Sequence, residues 1–359
     1  MRFSLLHLSL AAAAVSSTAA SKILIPLYSW SEDCWPELQE AASSNPSAEF
    51  IGIINPDSGP VSDTSNPSLY CVPVLREKVP NLVLVGYVRT GYGDRSASDI
   101  ESDVKTYASW SSMSVDAGGV SGTPTLDGIF FDESLSFEDS TDGLDAYSGY
   151  SSSAKSALGD STTIIFNPGT TSSSELYDIA TYVVSYEDAY DNFDVKSLPT
   201  DAATQAKSLI MLHSFPDSDD TLKSVVESIV PSQTGIWISD VKLSEEDIYA
   251  RFGSNWQTFV ADVVSANGDA SSSTTKQAAV STSTRSSTAT AIASTDATRE
   301  LVASTTSASS SATAFATDSI LSTSAFFSSR VSAASSSSSG FASVSTGRRH
   351  RGHRHRTQQ

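Results

Sequence analysis

The chain has 359 residues, 39% of them hydrophobic and 9% aromatic, enough apolar material for a folded domain with a sizeable core. Its formal charge is −19, but residues 270–359 carry +6, so residues 1–269 carry −25. An acidic body of this kind repels phosphates, which argues against a nucleic-acid partner and favours neutral or cationic ligands; solubility outside the cell accounts for part of the same excess.

Residues 1–20 read as a secretory signal peptide, with the basic Arg2, an apolar stretch from Leu5 to Val15, and the small residues Ser17, Thr18, Ala19 and Ala20. That stretch is too short for a membrane span, and no later segment approaches roughly 18 consecutive apolar residues. A secreted mature chain with no membrane partner is therefore expected. The only cysteines are Cys34 and Cys71. In an oxidising compartment an even pair closes a disulfide, stabilising by about 4 kcal/mol in the chain-entropy model, with two free buried thiols as the alternative. Neither cysteine has a His or Cys neighbour at ligand spacing, so no metal site is expected.

From residue 21 to 268, eight short β-branched and aromatic runs recur in order: 23–28, 50–55, 82–88, 126–132, 163–167, 182–186, 208–213 and 235–239. Nearly continuous apolar runs suit parallel strands covered on both faces. Amphipathic segments lie between them, among them 97–109, 174–180, 221–229 and 244–252, the last introduced by Leu243-Ser244-Glu245-Glu246-Asp247 as an N-cap with an acidic first turn. Strand-then-helix repetition of this length predicts one α/β domain, a closed (β/α)8 barrel of the TIM type. An open doubly wound sheet is the competing arrangement, but no Gly-x-Gly-x-x-Gly follows the first run to hold a dinucleotide, and no cofactor is expected.

The runs end in groups that hydrogen-bond or ionise: Tyr28, Asn55, Arg89 with Tyr92, Asp132 with Glu133, Asn167, Glu187, His213, and Ser239 with Asp240. In a barrel these carboxyl ends converge on one face, where such enzymes place their chemistry. Asp132, Glu133 and Glu187 are the candidate catalytic carboxylates, since a pair can span a glycosidic bond with one group as acid and the other as nucleophile or base. Adjacent residues of a strand point to opposite faces, so Asp132 and Glu133 both reach the cleft only where the strand bends or ends. Helix capping by Asp132 or Glu133, and ion pairing of Glu187 with Arg89 or Lys207, are the structural alternatives. Tyr28, Asn55, Tyr87, Arg89, Tyr92, Asn167, His213 and Trp237 are candidate substrate contacts. Trp30, Trp35 and Tyr186 join the aromatics that offer flat faces to sugar rings or else fill the core. Asp127, at the start of its run, is read as structural.

Beyond about residue 270, Ser, Thr and Ala dominate. Such a tail buries too little apolar area to offset its chain entropy and is expected to be disordered, as in an O-glycosylated stalk. It ends in Arg348-Arg349-His350-Arg351-Gly352-His353-Arg354-His355-Arg356, a basic stretch that reads first as a solvated tail, with association to anionic cell-wall polymer, to a metal or to the acidic body as the alternatives.

Several motifs occur together in order: Ile25-Pro26-Leu27-Tyr28, Ile54-Asn55-Pro56-Asp57-Ser58-Gly59-Pro60, Gly86-Tyr87-Val88-Arg89-Thr90-Gly91-Tyr92-Gly93, Asp127-Gly128-Ile129-Phe130-Phe131-Asp132-Glu133, Phe166-Asn167-Pro168-Gly169 and Tyr186-Glu187. In this the chain resembles the spherulation-specific family 4 (spherulin 4-like) proteins of glycoside hydrolase family 135, over about residues 23–259. The resemblance implies a (β/α)8 barrel and endo-acting hydrolysis of α-1,4-linked galactosaminogalactan, a partly deacetylated N-acetylgalactosamine polysaccharide of fungal cell walls and biofilms. It places the family's acidic pair on Asp132 and Glu133 and its later glutamate on Glu187. The adjacency of Asp132 and Glu133 differs from the Asp-x-Asp-x-Glu strand of chitinase-like barrels. Other amino-sugar polymers, and a non-catalytic wall-polysaccharide binder, are the alternative readings.

Overall fold

In the computed structural model, residues 20–270 are described; the signal-peptide reading of residues 1–20 and the tail reading of 269–359 fall almost wholly outside them. Eight strands form the central sheet: β1 (Lys22–Leu27), β2 (Phe50–Ile54), β3 (Leu82–Arg89), β4 (Gly128–Asp132), β5 (Thr163–Phe166), β6 (Tyr182–Ala189), β7 (Ser208–His213) and β8 (Gly235–Ile238). Each pairs in parallel with its sequence neighbour, and β8 pairs back onto β1, so the sheet is a closed barrel. Closure leaves no free edge, and all strands point their carboxyl ends to one face.

Period-two alternation sorts the strand residues. Leu24, Ile51, Ile53, Val85, Phe130, Ile165, Val184, Leu209 and Met211 fill the lumen. Their neighbours, such as Ile129, Phe131, Ile164, Phe166, Ile210 and Leu212, join the larger outer core. Both sets are buried because a helical shell covers the sheet: α1 (Pro36–Ser44), α2 (Pro67–Tyr70), α3 (Val72–Lys78), α4 (Ala97–Ser109), α5 (Leu144–Leu158), α6 (Ser174–Ile179), α7 (Ala202–Gln205) and α8 (Asp219–Ile229). A Cβ on Gly128 would lie 2.0 Å from the Thr163 carbonyl oxygen, so only glycine lets β4 approach β5 this closely. Cys34 and Cys71 form a disulfide that ties the loop after β1 to the junction of α2 and α3.

The predicted helices over 97–109, 174–180 and 221–229 appear as α4, α6 and α8. The predicted helix over 244–252 does not form; the segment is a series of turns, and the last helix occupies residues 256–270. The acidic residues read as a first helical turn are engaged elsewhere: Glu246 accepts from Arg251 Nε at 2.8 Å, and Asp247 caps the Tyr249 amide at 3.0 Å. An antiparallel hairpin of Val115–Ala117 and Val120–Gly122, absent from the sequence reading, sits between α4 and β4.

Candidate active site

Asp132 ends β4 with lumen parity, two residues after Phe130, and is the register partner of Arg89. The strand stops there because Glu133 takes the left-handed conformation, φ 52°. A non-glycine residue in that region costs about 1–2 kcal/mol. The neighbouring loop holds it in place, with Thr90 Oγ1 and the Tyr92 amide both donating to the Glu133 carbonyl at 2.6 Å. The turn swings Glu133 toward β3, where its carboxylate accepts from Arg89 Nε at 2.7 Å.

Glu187 reaches the lumen by a different device. Alternation from Tyr182 and Val184, both facing inward, would point Tyr186 in and Glu187 out. Instead the β6–β7 register shifts between Val184 and Tyr186. This β-bulge leaves Ser185 as the extra residue, buried and hydrogen-bonded to Tyr177 Oη and Ser208 Oγ, each at 2.8 Å. Parity is reversed: Tyr186 packs outside against Phe193, and Glu187 pairs with the lumen residue Met211.

The two carboxylates meet through Asn167, the residue after β5. Its Nδ2 donates to Asp132 Oδ1 at 2.8 Å and to Glu187 Oε2 at 2.7 Å. Those two oxygens therefore lie no more than about 5.5 Å apart, short of the roughly 6.5–9.5 Å between the carboxyl groups of inverting pairs. Tyr87 Oη donates to the other Asp132 oxygen at 2.8 Å, and Tyr249 Oη donates to Glu187 Oε1. Gly169, at φ 68°, lets the turn after Asn167 pass beside Glu187, whose amide donates to the Gly169 carbonyl at 3.0 Å.

Burial raises the pKa of Asp132 above the ordinary carboxylate value, opposed by the hydrogen bonds from Tyr87, the Glu133 amide and Asn167. Burial also raises Glu187, and the charge of Asp132 raises it further, against donation from Tyr249 and Asn167. Three donors on Asp132 against two on Glu187 favour a state in which Asp132 is ionised and Glu187 holds the proton. Burial and the adjacent carboxylates push the Tyr87 and Tyr249 hydroxyls well up, so both remain protonated donors.

The remaining sequence candidates divide. Tyr28 packs between Tyr87 and Tyr249, with centroids at 5.6 and 5.0 Å, and Trp237 lies 5.5 Å from Tyr249. Tyr87 and Trp237 are buried and Tyr28 and Tyr249 half-buried, so the rings pack on one another as the floor of the site rather than standing as open platforms. Tyr92 is 60% exposed on the rim; partial desolvation, and then the charges of Glu133, Asp132 and Glu187, raise its pKa. Asn55 Oδ1 is occupied by the Gly59 amide at 3.1 Å, a turn contact. His213 shares lumen parity but makes its hydrogen bond to Ser214 Oγ, at 3.0 Å, and burial lowers its pKa. Trp35 is core, not a platform. Asp127 accepts from the Leu84 amide and pairs with Arg76, both at 2.7 Å, at the opposite end of β4 from Asp132. The ion pairs considered for Glu187 do not form, since Arg89 pairs with Glu133 and Lys207 donates to the Tyr177 and Ala180 carbonyls.

Sequence reasoning missed Tyr249 and Thr90. Tyr249 lay inside the supposed helix, and no periodicity distinguishes a tyrosine projected into the lumen by a turn. Among the described residues no group of three His, Cys, Asp or Glu is arranged to hold a metal ion.

Comparison with known proteins agrees with this architecture. Spherulin-4 of Physarum polycephalum is 32% identical over 177 residues, 49% of this chain, which spans about half (48%) of that relative's length. The crystal structure of Aspergillus clavatus Sph3 in complex with GalNAc superposes with a TM-score of 0.60 at 26% identity, covering 68% of this chain and 98% of that one. The model of spherulation-specific family 4 matches residues 22–263, from β1 into the last helix, and the chain belongs to that family.

Proposed function

We propose that the protein is a secreted glycoside hydrolase that cuts within an α-1,4-linked, N-acetylgalactosamine-containing polysaccharide such as the galactosaminogalactan of fungal walls and biofilms. The observation that carries the reading is the Asn167 bridge, which holds two half-buried carboxylates with their nearest oxygens within about 5.5 Å at the mouth of the barrel. A binding protein has no need of two ionisable groups held against each other away from full solvent, because each raises the cost of the other's charged state. The GalNAc bound by the related Sph3 supports the choice of sugar.

In the proposed mechanism Glu187 donates its proton to the glycosidic oxygen while Asp132 attacks the anomeric carbon. The leaving chain departs as an alcohol and a glycosyl ester forms on Asp132. Glu187, now ionised, removes a proton from water, which releases the ester and restores both groups. Tyr87 and Tyr249 keep the two carboxylates in fixed rotamers, and Glu133, anchored by Arg89, contacts the sugar beside Asp132. Secretion is supported by the disulfide, which persists in oxidising compartments. Retention at the wall is assigned to the basic tail, outside the described residues.

The test is release of reducing ends by the purified chain from galactosaminogalactan, chitin and chitosan, beside the Asp132→Asn, Glu133→Gln and Glu187→Gln variants. Release from the first polymer, lost in Asp132→Asn and Glu187→Gln, is the expected result. Silence on all three polymers with oligosaccharide binding intact would replace the hydrolase with a wall-binding protein.

A further inference from the structure

Six side chains close a circuit around the mouth of the barrel. Asp132 accepts from Asn167, Asn167 also donates to Glu187, and Glu187 accepts from Tyr249. From there the circuit runs by aromatic contact, Tyr249 to Tyr28 with centroids at 5.0 Å and Tyr28 to Tyr87 at 5.6 Å. Tyr87 Oη then returns to Asp132 at 2.8 Å. Tyr28 is the one member that gives or takes no hydrogen bond in it. Among the described residues Tyr28 Oη has no hydrogen-bond partner, and it is not one of the unpartnered polar atoms sealed from solvent, so the hydroxyl is open to the cleft.

The closure of the barrel puts Tyr28 in this place. The β1–β2 ladder continues up to Leu27 and Ile54, whereas the β1–β8 ladder pairs Lys22 with Gly235 and Ile23 with Ile236 and goes no higher. Above it Tyr249 lies between the two strands, in ring contact with Tyr28 on one side and with Trp237, at 5.5 Å, on the other. Tyr28 follows Leu24 at even spacing and packs on the lumen cluster. Around the closed sheet β1 stands opposite β5, so the carboxylate pair has Asn167 on one side and Tyr28 on the other. Burial, and then the charge of Asp132 ahead of that of Glu187, push the Tyr28 pKa well up, so Oη stays a neutral hydroxyl with its lone pairs uncommitted.

We infer that Tyr28 is a further catalytic residue, whose Oη accepts a hydrogen bond from the N–H or O–H group on C2 of the sugar cleaved between Asp132 and Glu187. This rests on the hydrolase reading above. In the oxocarbenium-like transition state positive charge develops at the anomeric carbon, the neighbouring C2 group becomes a stronger donor, and a hydrogen bond from it tightens. The rest of the circuit has no acceptor to spare for it. Asp132 takes Asn167 and Tyr87 and must attack the anomeric carbon, Glu187 serves the glycosidic oxygen, and the Tyr87 and Tyr249 hydroxyls are held by the carboxylates. A bond that tightens only in the transition state raises kcat and leaves KM alone.

The experiment measures reducing-end release from galactosaminogalactan by the full chain and by Tyr28→Phe, across pH, beside the melting temperature of each. Phenylalanine keeps both aromatic contacts and removes only Oη. The variant is expected to lose about 10²-fold in kcat, the scale of one lost transition-state hydrogen bond, with KM, melting temperature and both limbs of the pH profile unmoved. A wild-type kcat, or a raised KM at unchanged kcat, overturns the transition-state contact. A lowered melting temperature makes Tyr28 a packing residue, and shifted limbs make it a tuner of the carboxylates; either result also overturns the inference. An active wild type with an equally active variant removes Tyr28 alone, whereas a silent wild type removes the hydrolase reading and Tyr28 with it.

Discussion

Glu187 carries opposed demands. Its folded pKa is raised by burial and by Asp132, so the native state keeps a proton that the unfolded chain loses near its ordinary value of about 4.3. Between those two pKa values the native protein binds more protons than the unfolded one, and stability falls as pH rises through that window. Glu187→Gln removes the titration. The variant is expected to lose about 10²–10⁴-fold in kcat, yet to melt higher than the wild type above the window and equally below it, as calorimetry across pH 4–8 checks. Asn167 acts on both carboxylates at once. Its N–H bonds favour the charged forms, so Asn167→Leu raises both pKa values, and both limbs of the kcat/KM profile move to higher pH. An unmoved profile with reduced kcat would leave Asn167 a packing role only.

At the scale of elements, two irregularities build the site. The left-handed Glu133 ends β4 so that adjacent acids serve different partners, and the bulge at Ser185 turns Glu187 inward. The bulge yields an unusual expectation. Deleting Ser185 restores regular pairing of Val184 and Tyr186 with Leu209 and Ile210 and leaves Glu187 facing the lumen. Cleavage is retained at reduced rate, and stability drops by about 1–3 kcal/mol as the buried Tyr177 hydroxyl loses its Ser185 partner and Ser208 Oγ keeps only its bond to the Thr204 carbonyl. Complete loss of cleavage in a folded deletion variant counts against the bulge as the source of the reversal. The turns over 244–252 are the third irregular element, for they bring Tyr249 onto Glu187.

For the whole molecule, the closed barrel supplies rigidity and one convergent face, and the disulfide closes a sequence separation of 37 residues. A cross-link of that span contributes about 4 kcal/mol in the chain-entropy model, so Cys34→Ser is expected to lower the melting temperature by roughly 10 °C. Reduction by dithiothreitol reproduces the shift in the wild type and leaves Cys34→Ser unmoved.

How much of this was legible follows from the range of the forces involved. The eight apolar runs and the carboxylates at their ends were plain in the sequence, because strand burial on both faces demands continuous β-branched and aromatic residues and charge is tolerated only where a run stops. Asp132 and Asn167 fall on the lumen side by simple alternation from Phe130 and Ile165. Glu187 does not; its direction depends on which residue of β7 pairs with which of β6, a register fixed by packing rather than by either strand's own composition. Tyr249 was invisible for a related reason: residues 244–252 have helix-compatible composition, but their acidic side chains are taken by Arg251 and by local amides. Local composition thus determined the strands, their order and the supply of acids, whereas long-range pairing across the closed barrel decided which acids meet, at what separation and beneath which hydroxyls.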